Sequence, residues 1–340
     1  MVQRTSGQKI VVATLTTGFV VMFVSLLYVS IESREGTLDI LTELRADQVP
    51  SVVAENEIEI ATTSILFVGD MNFDRYIRIL TERHGSDYIF SCIDEMLEQV
   101  DLVVGNLEGP ITSYKSVSKG SEVGSPQNFQ FTFPTTTAEL LFDHNIKLVN
   151  IGNNHIRDFG LSGLESTREY LAKAGVGYFG GVASNTSAYV TEINGNKLSF
   201  VNYNQFGGDT RDTVAELIST EKGNGNIVIV YTHWGEEYIE PTSWMKTTAE
   251  LFVQSGADMI IGSHPHVIQS SEVIGDTIVY YSLGNFIFDQ YWDESVRSGL
   301  AVLVHISKDG ITIEEKPVTI KPYGQTCPKV EVSSSTLLTI

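Results

Sequence analysis

Short, nearly unbroken apolar runs recur along the chain: ILFVG (65–69), LVVG (102–105), KLVNIG (147–152), NIVIVYT (226–232), DMIIG (258–262) and TIVYYSLG (277–284). Runs this brief and continuous predict strands covered on both faces. Between them the period lengthens. In SDYIFSCIDEMLEQV (86–100), Ile89, Ile93, Met96 or Leu97, and Val100 fall on one stripe, which predicts a helix. SGLESTREYLAKAG (162–175) predicts a second, with Ser162 and Glu165 in capping-box spacing and a closing glycine. TSWMKTTAELFVQSG (242–256) predicts a third with the same ending. Hairpins are expected at Asn194-Gly195 and Asp309-Gly310. The pattern predicts an α/β fold with a mostly parallel core sheet and antiparallel additions. The polar, Ser- and Gly-rich stretch 113–130 reads as a surface loop.

The amino-terminal stretch breaks this rhythm. Ile10 to Ile31 runs 22 residues without a charge, with Arg4 and Lys9 before it and Glu32 and Glu35 after. That length spans a bilayer core at about 1.5 Å per residue. The positive-inside rule then puts residues 1–9 in the cytoplasm and the remainder outside. A cleaved signal peptide is the alternative, but the run exceeds a usual h-region and no A-x-A-like site ends it. The expected organisation is a single-pass cell-membrane anchor at 10–31, an acidic stalk at 32–63, an extracytoplasmic domain at 64–325 and a tail at 326–340.

Composition narrows the chemistry. A length of 340 residues allows one large domain or two ordinary ones, and 42% hydrophobic residues suffice for a sizeable core. A net charge of −20, with only 22 Lys+Arg, leaves no basic footprint for nucleic acid. It also disfavours polyanions unless a metal reverses the local field. Cys92 and Cys327 form no CxxC, which excludes a zinc-thiolate site. Cys92 shares a stripe with Ile89, Ile93 and Met96 and reads as a buried free thiol; pairing with Cys327 in an oxidising compartment is the alternative.

The functional signal lies at the carboxyl end of each apolar run. Asp70 and Asn72 stand after the first, Asn106 and Glu108 after the second, and Asn153, Asn154 and His155 after the third. His233 ends the fourth, His264 and His266 the fifth, and Asn285 the sixth. Ligands in open α/β sheets bind beyond the carboxyl ends of strands, so this repeated punctuation predicts one site built from many loops. Imidazole, carboxylate and carboxamide without thiolate suit Mn, Fe, Zn or Mg. In an extended segment His264 and His266 would face the same side and meet one ion or two adjacent ions. Glu108 could bridge two cations, which permits a two-metal mode. His84, His144 and His305 stand without partners and read as surface or packing residues. Glu236 and Glu237 beside His233 read equally as supporting residues or as an acidic solvated loop.

In order, the motifs GDMN, NLEGPIT, NIGNNHIRDFG, GGVASN, THWGEEY, IGSHPHVIQ and YSLGNFIFD resemble the calcineurin-like metallophosphoesterases, and more closely their CapA branch of capsule and poly-γ-glutamate synthesis. The resemblance runs from Ile65 to Asp289. It implies a sandwich of two central β-sheets flanked by helices, and one or two divalent ions. Carried over by position, Asp70 would bind the first ion, Glu108 would bridge, and Asn154, His233 and His264 would bind the second. His266 would return to the first ion. His155 would assist the leaving group, and Arg75 would hold an anionic substrate. Asn72, Asp158 and Asn285 would support these residues, Asp158 by orienting a histidine or capping a turn. Three departures stand out: Asn72 occupies the histidine place of an Asp-x-His motif, Glu108 within NLEG stands at the bridging place instead of the aspartate of a GD motif, and Thr132 in FQFTFP stands where an arginine is common. The resemblance implies a metal-dependent hydrolase serving surface-polymer synthesis beside membrane synthase subunits, acting on an anionic polymer or a phosphoester. A non-catalytic accessory or scaffold of the synthase, or an extracellular phosphoesterase of another substrate, is the alternative.

Overall fold

In the computed structural model, residues 62–182, 188–208, 210–329 and 337–339 are described. The expected anchor, and the stalk up to residue 61, lie outside them. Among the described residues no helix is long and apolar enough to cross a membrane.

The apolar runs form strands of two sheets rather than the single core sheet that periodicity suggests. The first sheet is built on β1 (Thr63–Met71), β2 (Leu102–Leu107), β3 (Ile146–Asn150) and β4 (Gly177–Phe179), all parallel. The second has β6 (Asn196–Asn204), β7 (Ile227–His233), β8 (Met259–Ser263) and β10 (Thr277–Tyr280), also parallel, with β5 (Tyr189–Ile193) and β9 (Ser271–Ile274) antiparallel at its edges. β11 (Asn285–Ile287) pairs in parallel with the end of β1, while β12 (Ser298–Ser307) and β13 (Gly310–Ile320) extend the first sheet antiparallel.

Alternation along each strand explains why the runs are continuous. Ile65 and Phe67 point between the sheets, where they meet Phe200, Tyr231 and Ile261. Leu66 and Val68 point outward into a cluster with Ile77, Leu141 and Leu164 from helices α1 (Arg75–His84), α3 (Thr137–Asp143) and α4 (Gly160–Ala174). The outer face of the second sheet is covered likewise by α5 (Arg211–Gly223) and α6 (Ser243–Gln254), through Val214, Ile218, Met245 and Phe252. Both faces of both sheets are apolar because both are covered. The result is the helix-flanked two-sheet sandwich that the resemblance implies.

Several local expectations need correction. The helix expected over 86–100 is a 3₁₀ turn at Ser86–Ile89 followed by the short α2 (Asp94–Glu98), although Ile89, Ile93 and Leu97 are buried as the stripe requires. The Ser91 hydroxyl donates to the Tyr88 carbonyl, and Ile93 N–H bonds Phe90 O, so local turn bonds replace the helical ladder. Cys92, in that turn, is disulfide-bonded to Cys327 across a Cα–Cα distance of 4.9 Å; it is not a free thiol. The expected tail at 326–340 instead contributes β14 (Thr326–Pro328) and β15 (Leu337–Thr339), both paired with β13, because Cys327 is tied to the domain and β13 offers an open edge. α4 begins at Gly160, so Ser162 lies within its first turn and donates to Phe159 O rather than capping. In the β12–β13 hairpin Gly310 pairs with Ser307, which makes Lys308-Asp309 the turn. His144 is buried between Asp87 and Asp94 and stacks on Phe90, a packing role.

Candidate metal centre

The carboxyl ends of the parallel strands of both sheets converge on one place. The first sheet supplies carboxylates, Asp70 on β1 and Glu108 just beyond β2; the second supplies imidazoles, His233 ending β7 and His264 and His266 just beyond β8. β1 shifts register against β2 between Phe67 and Asp70, which re-aims the strand end. Gly69 makes this possible: a Cβ there would lie 1.9 Å from Gly284 O, the acceptor for Asp70 N–H at 3.0 Å. His264 and His266 do not alternate along a strand as expected. Both have positive φ, 99° and 58°, in a turn where His264 N–H donates to Asp70 Oδ2 at 3.1 Å. Such backbone costs about 1–3 kcal/mol per residue and collects at functional sites.

Two groups of possible ligand atoms result, each with its atoms within 4.8 Å of one another: Glu108, His233 and His264, and Asp70, Glu108 and His266. Glu108 belongs to both. All five side chains are buried.

Neighbouring residues decide which atoms face inward. Asn285 donates from Nδ2 to Gln290 Oε1 and Val296 O, so its Oδ1 accepts from His266 Nδ1–H at 2.9 Å and leaves Nε2 bare. Ser263 Oγ donates to Thr232 O and so accepts from His233 Nδ1–H at 3.0 Å. His233 Nε2 then meets Asn154 Oδ1 at 2.9 Å, two acceptors facing each other. Asp158 Oδ2 accepts from His155 Nδ1–H at 2.9 Å and from Phe131 N–H at 2.8 Å, leaving His155 Nε2 free. Arg75 pairs with Asp289 and lies between the rings of Phe131 and Phe288, 5.0 and 5.2 Å from their centroids. Asn72 Oδ1 accepts from Asp74 N–H, and its buried Nδ2 is an unpartnered donor. A donor cannot replace the lone pair of an Asp-x-His imidazole. Thr132 is fully buried and bonded to Thr112, so it anchors its loop.

The electrostatics fit a divalent cation. Burial, and then Asp70 beside it, holds the Glu108 carboxyl well above its ordinary pKa. Burial, and then the other imidazoles, pushes His233 well below its ordinary value and His264 down to about 4. The His233 and His264 imidazoles are therefore neutral, with lone pairs available, beside two buried acidic groups. Glu108 Oε1 and His264 Nδ1 are buried without a hydrogen-bond partner. Orphaned acceptors of this kind, with an oxygen and nitrogen donor set, are what such an ion satisfies.

A row of amides lies outside the candidate ligands read from the sequence. Asn202 Nδ2 donates to Asn150 Oδ1, Asn150 Nδ2 to Asn106 Oδ1, and Asn106 Nδ2 to Asp70 Oδ1, at 2.9, 3.0 and 2.8 Å. Asn106 is among the polar residues that the sequence marks at the end of the second apolar run, two before Glu108, although the pattern gives it no role. Asn202, inside β6, carries no sequence signal. Nor does Phe206, whose ring centroid lies 4.3 Å from that of His264.

Residues 64–290 match the family described as bacterial capsule synthesis protein PGA_cap. The chain is 32% identical to the PGA biosynthesis protein CapA of Bacillus subtilis (strain 168), over 76% of this chain and 71% of that one. It is 30% identical to the capsule biosynthesis protein CapA of Bacillus anthracis, over 74% and 65%. A probable polyglutamine synthesis accessory protein of Mycobacterium tuberculosis is 29% identical over 45% and 49%. With the family match spanning most of the described domain, the chain belongs to the CapA family of bacterial capsule synthesis proteins.

Proposed function

We propose that this is a membrane-anchored, extracytoplasmic protein of capsule or poly-γ-glutamate-type polymer synthesis, working through a two-ion centre of hydrolase or transferase type. The observation that carries this reading is Glu108, buried and shared by two ligand groups that each draw on both sheets. The uncharged run 10–31 supports an anchor. The Cys92–Cys327 disulfide supports an oxidising compartment.

Asp70, Glu108, Asn154, His233, His264 and His266 would hold the metal. Bound divalent ions would supply Lewis acidity toward a phosphoryl or carbonyl oxygen. His155, its tautomer set by Asp158, can hold or deliver a proton at Nε2 beside a leaving group. Arg75, fixed by Asp289 and two rings, places a guanidinium near the centre for an anionic substrate. Phe206 packs against the His264 ring at the edge of the centre.

The test is turnover of phosphoesters and γ-glutamyl amides by the full chain loaded with Mn or Zn. Metal-dependent cleavage or transfer of either supports the reading. Stoichiometric metal without turnover would favour a non-catalytic partner of the membrane synthase. One observation points that way: Asn72 presents a donor where the Asp-x-His motif presents a ligand.

A further inference from the structure

Beside the His233–Asn154 half of the centre lies a cleft of about 330 Å³, lined by Asn153, Asn154, Arg157, Gly160, Asn204 and Phe206, among others. It is continuous with the centre on two counts. Asn154 both lines it and meets His233 Nε2, and Phe206 both lines it and packs against the His264 ring. The size suits one small substituent, at the lower end of ligand pockets.

Among the described residues the lining contains no carboxylate, although the chain carries 42 acidic residues and a net charge of −20. The one cation among its described lining residues, Arg157, is exposed, and its side chain makes no hydrogen bond or ion pair among the described residues. Asn204 is 3% exposed. Its Oδ1 accepts from Phe206 N–H at 3.0 Å, and its Nδ2 has no partner among the described residues, which leaves a donor on the cleft wall. Asn153 is fully engaged with Asn106, Leu107 and His155 and serves as wall. An uncommitted guanidinium and a free amide donor, on a wall whose described residues include no acid, select an anion of planar bidentate shape.

We propose that this cleft is the carboxylate subsite of the polymer site, with Arg157 and Asn204 Nδ2 holding one side-group carboxylate of a γ-linked glutamyl chain while the adjoining linkage lies at the metal centre. The proposal rests on the polymer reading above and sharpens it. The relatives' names divide between PGA and polyglutamine; Arg157 assigns this chain to the charged polymer rather than the amide.

The experiment uses the full chain loaded with Mn, in wild-type and Arg157→Gln forms of equal metal content. Calorimetry measures binding of a γ-linked glutamate pentamer, of the same pentamer with amidated side groups, and of inorganic phosphate as competitor. The wild type should bind the acid pentamer about tenfold tighter than the amide, and Arg157→Gln should remove that preference without weakening the amide. Equal binding of acid and amide by the wild type, or an acid preference that survives Arg157→Gln, overturns the subsite alone. Phosphate that competes in the wild type but not in Arg157→Gln overturns the carboxylate assignment in favour of a phosphate. Failure of both pentamers to bind metal-loaded wild type overturns the polymer reading, and the subsite with it.

Discussion

The Asn106 side-chain amide donates to Asp70 Oδ1 across 2.8 Å, between two strand ends that are both fully buried. Its oxygen accepts from Asn150 and Asn153, so one residue positions the carboxylate and ends the amide row that reaches β6. Asn106→Leu keeps the volume and strands these polar atoms. We expect a loss of about 2–4 kcal/mol in urea unfolding and a metal affinity about 10–100-fold weaker. A stability change within about 0.5 kcal/mol would contradict the role given to the row.

Two buried groups give the metal-free protein opposite pH dependences. The raised pKa of Glu108 means that its stability contribution is present below about 4.5 and is lost as pH rises toward the folded value. The pKa of His264, pushed down to about 4, means that its contribution is present above 6.5 and is lost as pH falls toward 4. Above about pH 6.5 only the Glu108 penalty remains of the two. In chelator at pH 8, Glu108→Gln should therefore be more stable than wild type, by about 1–3 kcal/mol, and divalent metal should reverse the order. Thermal melts with and without chelator check this; a less stable Glu108→Gln in chelator would refute it.

His155→Gln should lower turnover by about 10²–10⁴-fold at unchanged metal content, because it removes the Nε2 atom that can hold or deliver a proton and leaves the ligand set intact. Asp158→Asn should shift the pH profile of whatever activity is found, since Asp158 fixes the His155 tautomer. Turnover unchanged in His155→Gln would remove this residue from the chemistry.

Cys92→Ser should cost about 2–4 kcal/mol, since the bond ties the turn before α2 to β14 across 235 residues of sequence. Reduction of the wild type should cost the same. Equal unfolding midpoints for oxidised and reduced protein would contradict it.

The strand runs and the residues that end them are legible in the sequence because burial on both faces leaves continuous apolar segments, and a site at strand ends interrupts them with polar residues. Asp70, Glu108, His233, His264 and His266 stand out in that way. Periodicity cannot assign strands to two sheets, because Ile65 and Leu66 are equally apolar while facing opposite cores. The turn holding His264 and His266 reads as extended from its local sequence: its positive φ values accompany a long-range bond to Asp70, 194 residues away. The Cys92–Cys327 pairing is hidden for the same reason. Asn202 reads as an ordinary strand residue until its partner on β3 is known.

In the proposed centre Glu108 joins two ions. Metal analysis of the full chain, purified with Mn or Zn supplied, tests it most directly, for wild type and Glu108→Gln. Two ions per wild-type chain are expected and at most one for Glu108→Gln, with His264→Ala losing the ion it would share with His233. A wild-type chain without stoichiometric metal, or a Glu108→Gln chain that still holds two ions, would contradict it.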